Sequence, residues 1–228
     1  MSIQKNIQNQ RTVAIRSGSA RLEGDLTIPP GTGAVVVFAH GSGSSRHSPR
    51  NRLVASGLND GGLATLLLDL LTRDEEIAEA HTRHLRFDIG LLAERLDAAM
   101  AWLRQDAELG ALPIGLFGAS TGAAAALVAA ARRPEWVRAV VSRGGRPDLA
   151  GDSLPLVRCP VMLIVGGADS PVIELNRSAA NRMTCETRID IIPGATHLFE
   201  EPGALEQVAE LARRWFTQHL LPHRVPAA

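Results

Sequence analysis

Ile114-Gly115-Leu116-Phe117-Gly118-Ala119-Ser120-Thr121-Gly122 is the stretch on which the fold turns. A short apolar run (114–117) leads directly into Gly-Ala-Ser-Thr-Gly, and an alanine-rich segment (121–132) follows, ending before Pro134. The run has the length of a strand and the alanine segment that of a helix. The turn between them is too tight for side chains at the flanking glycines, so a serine with strained backbone angles is pushed above the strand end. The new helix points its positive end at the same spot, where it stabilises a developing oxyanion. Glycine, serine and alanine are common residues, and the pentapeptide gains its weight only from the strand before it and the helix behind it. The bland alternative is a glycine-rich turn that packs a helix close to a strand.

Outward from this point, strands and helices alternate. The continuous apolar runs 34–39 and 63–68 read as strands buried on both faces. Residues 137–141, 161–165 and 188–192 read as further strands. Helices are expected at 51–61, 87–105, 171–183 and 204–220; in the second, Leu91, Leu92, Leu96, Ala99, Met100 and Leu103 fall at helical spacing. Segment 71–84 reads as a polar stretch, and 142–159 has room for a loop and a short helix. Upstream, 12–16 and 20–28 alternate around a Ser-Gly-Ser turn and stop at Pro29-Pro30-Gly31, as a hairpin would. The pattern predicts an α/β three-layer sandwich in one domain over 1–228. Its sheet is mostly parallel with an N-terminal antiparallel hairpin, and it carries no cap domain. In such sheets ligands bind beyond the carboxyl ends of the strands.

Composition narrows the chemistry. Among 228 residues there are 24 Lys plus Arg and 24 Asp plus Glu, and this zero net charge gives no reason to expect nucleic acid or an anionic membrane as partner. Lys5 is the single lysine and there is no tyrosine. A lysine-dependent phosphate loop, Schiff-base chemistry and proton donation by tyrosine are therefore excluded. The 45% hydrophobic content is ample for a large core, and no apolar stretch is long enough to span a bilayer. MSIQKNIQNQR lacks the apolar region of a signal peptide, so a cytoplasmic location is expected. Cys159 and Cys185 are too few for a disulfide scaffold or a zinc site and read as free thiols; no metal and no cofactor is expected.

A serine needs a base, and seven histidines are available. His197, in Pro-Gly-Ala-Thr-His just beyond the last strand, lies on the same rim as Ser120. The others fall in tails, in a charged stretch or in loops, and His40 reads as a brace for its loop. The acid should lie between Ser120 and His197 on that rim. Asp169, in Gly-Gly-Ala-Asp after strand 161–165, meets this requirement, with Asp148 as the alternative. An oxyanion would be held by two backbone N–H groups, one of Thr121 and one from His40-Gly41-Ser42-Gly43, with Ser42 preferred to Gly43.

With these elements in order, the chain resembles the α/β-hydrolase superfamily and, within it, the dienelactone-hydrolase-related group. The resemblance runs from about Ala20 to Leu220. It rests on His-Gly-Ser-Gly at 40–43, Gly-Ala-Ser-Thr-Gly at 118–122, Gly-Gly-Ala-Asp at 166–169 and Ala-Thr-His at 195–197. Dienelactone hydrolases carry cysteine at the elbow where this chain has Ser120, which implies a serine esterase. Lids in the superfamily enter after the sixth strand, where 142–159 leaves no room for a domain, so an open site and water as acyl acceptor are implied. The expected activity is cleavage of a small carboxylic ester, lactone or thioester through an acyl-enzyme. The alternatives are a catalytically silent binding protein and an acyltransferase.

The arginines allow two readings. Arg46 and Arg50 follow the oxyanion loop, and Arg143 and Arg146 flank Gly144-Gly145; all four project from the rim. They either grip an anionic substrate, with Arg46, Arg143 and Arg146 as substrate-binding residues, or pair with Asp69, Asp74, Asp148 or Asp152 to fix loops. A small-molecule substrate is the expected partner. Leu198, Phe199 and the last helix read either as a homodimer interface or as closure of the core.

Overall fold

The computed structural model describes residues 9–221; Lys5 and His223 lie outside them. Strands β1 (Asn9–Ser17) and β2 (Ala20–Ile28) form the antiparallel hairpin, with Gly18 at φ 60° in its turn. β2 pairs antiparallel with β4 (Ala64–Leu68). All remaining pairings, among β3 (Val35–Ala39), β4, β5 (Ile114–Ala119), β6 (Val137–Arg143), β7 (Val161–Gly166) and β8 (Thr187–Ile192), are parallel. The sheet order is β1-β2-β4-β3-β5-β6-β7-β8.

Period-two alternation explains why the central runs are apolar throughout. Val35, Val37 and Ala39 of β3 join a core with α3 (Ile89–Leu103) and α4 (Thr121–Arg132), whereas Val36 and Phe38 face α1 (Pro49–Asp60) and α6 (Ala204–Leu220). Phe38 and Phe117 touch across β3 and β5 with ring centroids 4.7 Å apart. Helix α5 (Ser170–Ala180) links β7 to β8 and buries Ala179 against the first core. The chain passes from β3 to β4 on one side and returns to β5 on the other. The crevice for a ligand therefore opens at the carboxyl ends of β3 and β5.

The expected elements are present with shifts of a few residues at their ends, and one segment differs in kind. Residues 71–84, read as a polar stretch, contain helix α2 (Arg73–Thr82), and its single buried residue is Glu79. No hydrophobic periodicity marks such a helix. Its sequence signal is the capping box: Thr72 accepts from the Glu75 N–H and the Glu75 side chain accepts from the Thr72 N–H. Residues Pro147–Leu156 form two short 3-10 turns hinged at Gly151. Phe199 is fully buried in the α1/α6 core while Leu198 is exposed, and α6 places Val208, Ala212 and Phe216 in the same core. Cys159 is buried and Cys185 half-buried, both unpaired thiols. Among the described residues no helix is long and apolar enough to cross a membrane.

Candidate active site

Ser120 sits at the junction of β5 and α4 with φ 49° and ψ −120°, a conformation that side-chain-bearing residues avoid. Such strain persists only where the surroundings over-determine it. Here the Ser120 N–H donates to the Arg143 carbonyl at 3.3 Å, and the Ser120 carbonyl accepts from Ala123 and Arg146, each at 3.1 Å. The flanking glycines are steric requirements. A Cβ on Gly118 would lie 2.3 Å from the Ala123 Cα, and one on Gly122 would lie 2.3 Å from the Ala39 carbonyl oxygen. Gly41 is equally constrained, because a Cβ there would meet the Ser120 Cβ at 2.9 Å. Close packing of β3, β5 and α4 thus aims the serine at the crevice.

His197 and Asp169 are brought together by the loops that leave β8 and β7. The two loops cross closely enough that a Cβ on Gly166 would lie 2.4 Å from the Ala195 carbonyl oxygen. The Ala168 N–H donates to that same carbonyl at 2.9 Å. Asp169 Oδ2 accepts a 2.8 Å hydrogen bond from His197 Nδ1, which leaves Nε2 to meet a proton donor or acceptor in the crevice. Asp169 is well covered while the His197 side chain is 40% exposed. The carbonyl of His197 lies 3.0 Å from where a Gly144 Cβ would be, so the histidine loop rests on the segment whose Arg143 carbonyl holds Ser120. Asp148, the alternative acid, is instead bidentate to Arg146 at 2.9 and 2.8 Å.

The loop at 40–43 meets the start of α4 through a 3.1 Å hydrogen bond between the Ser42 and Thr121 hydroxyls. The backbone N–H groups of Ser42, Gly43 and Thr121 have no acceptor among the described residues. His40 braces this loop from below: its Nδ1 donates to the Gly41 carbonyl at 2.9 Å and its Nε2 accepts from the Leu70 N–H at 3.0 Å. Burial pushes its pKa below the ordinary histidine value, in keeping with a neutral ring that both donates and accepts. A cavity of about 380 Å³ opens beside Ser42, Gly43 and Thr121, with Leu70, Leu71 and Leu92 among its walls. Helix α2 supplies another wall through Glu76, Glu79 and Ala80, so this side of the site is more enclosed than the missing lid domain implies.

The rim arginines divide. Arg46 is committed to a carboxylate group: its guanidinium pairs with Asp69, with Glu23 at 2.6 Å and with Asp25 at 3.5 Å, and its N–H donates to Asp69 at 2.7 Å. Arg146 is held by Asp148. Both fix loops, and a substrate anion would have to displace their partners. Arg143 differs. It is 7% exposed, and its guanidinium has no hydrogen bond or ion pair among the described residues. Desolvation, reinforced by repulsion from Arg50, pushes its pKa down to about 10. No group of three or more His, Cys, Asp or Glu among the described residues is arranged to hold a metal ion.

An eight-stranded, mostly parallel sheet with a strained serine at its central elbow and a histidine–aspartate pair on the last two loops defines an α/β-hydrolase. Comparison with known proteins narrows the class: residues 22–220 match the dienelactone hydrolase family, and the chain belongs to it. A crystal structure of a dienelactone hydrolase from Anabaena variabilis is similar over 93% of this chain and 99% of that one, with 57% identity and a TM-score of 0.91. The esterase Est1E from Butyrivibrio proteoclasticus shares the fold over 91% of this chain and 98% of its own, at 17% identity and a TM-score of 0.76. Two Mycobacterium tuberculosis proteins, provisionally named phosphoribosyl transferases, are 56% identical over 91% of this chain. The chain spans about half the length of these curated relatives, 46% of each. The match to the dienelactone hydrolase family supports a hydrolase function.

Proposed function

We propose that this chain is a serine hydrolase that cleaves a small carboxylic ester, lactone or thioester through an acyl-enzyme. The observation that carries the reading is the 2.8 Å Asp169–His197 bond on loops packed against the strained elbow of Ser120. Asp169 fixes the imidazole tautomer and stabilises the imidazolium. His197 Nε2 takes the proton of Ser120 as its Oγ attacks the carbonyl, and returns a proton to the leaving group. The tetrahedral oxyanion is held by the unpaired N–H groups of Thr121 and Ser42, at the positive end of α4. Water then enters and deacylates the serine by the same route. The 380 Å³ cavity suits a small acyl or alcohol group better than a lipid chain.

The transferase name of the mycobacterial relatives is not adopted, because it belongs to chains of which this one covers 46%. The reading is tested with a fluorophosphonate and peptide mass spectrometry. Labelling is expected on Ser120 and is expected to disappear in His197→Ala. Asp169→Asn should lower hydrolysis of p-nitrophenyl acetate by roughly 10⁴-fold, as loss of the orienting acid does elsewhere. A folded protein that is not labelled and turns over no ester is a binding protein instead.

A further inference from the structure

We propose that Arg143 and Arg50 form an oxyanion subsite next to Ser120, and that the ester cleaved carries a phosphate group seated there. The inference rests on the serine-hydrolase reading and assigns that reaction a substrate class. By strand alternation Arg143 projects to the same face as Val141, the face covered by α1 and α6, and Arg50 stands in the first turn of α1. The backbone carbonyl of Arg143 holds the N–H of Ser120, so the guanidinium is anchored one residue pair from the nucleophile.

The electrostatics of this spot are unlike those of the rest of the rim. Arg46, Arg52 and Arg146 all have carboxylate partners. Arg143 has none among the described residues, and the charged neighbour it feels is a second cation, Arg50. Three guanidinium nitrogens are buried without an acceptor among the described residues: Nε and Nη1 of Arg143, and Nε of Arg50. A buried cation facing another cation is costly unless an anion completes it. These three nitrogens carry four N–H groups on two guanidinium planes, a spread of donors that suits the three tetrahedrally arranged terminal oxygens of a phosphate monoester better than the two coplanar oxygens of a carboxylate. Entry is over Arg50, whose side chain is 31% exposed, and its partner Glu200 is an exposed side chain held at 3.1 Å that yields at little cost.

The probe is inorganic phosphate, with acetate at matched ionic strength as the comparison. At about 10 mM, phosphate should raise the melting temperature by several degrees and slow fluorophosphonate labelling of Ser120 at least about fivefold, as a ligand of the folded state does. Acetate should do neither. Both effects should vanish in Arg143→Gln and in Arg50→Gln, the second being a surface change that spares the core. Equal effects of acetate, no effect of phosphate, or effects that survive in both variants overturn the subsite. If Ser120 labels normally while phosphate is inert, the subsite falls and the hydrolase stands. A phosphate response with Ser120 never labelled overturns the assignment of that phosphate to a substrate of this serine.

Discussion

Replacing Gly122 by alanine sets two effects of known size against each other. Gly122 lies in the first turn of α4, where alanine is favoured over glycine by up to about 1 kcal/mol. The new Cβ would lie 2.3 Å from the Ala39 carbonyl oxygen and 2.5 Å from that of His40, both backbone atoms that cannot rotate away. Contacts of this kind do not fall below 3.0 Å, so α4 must retreat from β3 by about 0.7 Å. Overpacking on that scale costs roughly 1–3 kcal/mol or more, so the clash outweighs the propensity gain. Gly90 is the control. Also in a first turn, that of α3, its added Cβ would meet only Asp88 Oδ1 at an ordinary 3.4 Å. Gly122→Ala should therefore melt lower by roughly 3–8 °C, and Gly90→Ala at the parent temperature or up to about 3 °C above it. Calorimetry measures both. Activity on p-nitrophenyl acetate should fall in Gly122→Ala, because α4 carries the Thr121 N–H away from the serine, and stay level in Gly90→Ala. A Gly122→Ala protein as stable and active as the parent would refute the claim that close packing at the elbow sets the serine.

Further outcomes follow from two buried groups. The folded-state pKa of His40 lies below its ordinary value of 6.5, so between those values the unfolded chain binds the extra proton. The contribution of His40 to stability is therefore full above about pH 6.5 and is lost as pH falls below it. Urea midpoints measured between pH 7.5 and 5 should drop in the parent and drop less in His40→Gln; parallel curves would show that His40 takes no part. Arg143→Met replaces a buried, unpaired cation by an apolar chain of similar length. In anion-free buffer it should stabilise the protein by roughly 1–3 kcal/mol. A melting temperature below the parent's would mean that the guanidinium has a partner after all.

How much of this was legible beforehand depended on what kind of signal each part leaves. The central strands and the helices packed on them bury long apolar runs, so 34–39, 63–68 and 204–220 could be read within a residue or two. Helix α2 buries only Glu79, leaves no periodic apolar stripe, and announces itself only through Thr72 and Glu75. The positions of Ser120, Asp169 and His197 were readable because each lies within a few residues of a strand's carboxyl end and the fold puts such positions on one rim; the structure brings Asp169 and His197 to 2.8 Å. The roles of the arginines were not readable. Arg46, Arg143 and Arg146 look alike in sequence, and what separates them is the supply of carboxylates in space. Asp69 and Glu23 each reach Arg46 across 23 residues, whereas nothing acidic among the described residues reaches Arg143.

That asymmetry has a consequence for the shape of the substrate. The strands alternate, so the two sides of Ser120 are chemically different. Toward the α3 and α4 face lies the cavity with Leu70, Leu71 and Leu92 in its wall, and those three leucines belong to, or extend, the core on that face. Toward the α1 and α6 face lies Arg143. An ester placed with its carbonyl oxygen on the Thr121 and Ser42 amides has its acyl and alcohol halves on opposite sides of the scissile bond. One half then enters an apolar-walled cavity and the other approaches a cation. Two compact halves, one uncharged and one anionic, satisfy both sides, whereas a uniformly apolar ester would leave the buried charge uncompensated. On the proposed reaction, the unequal flanks of Ser120 are where selectivity would reside.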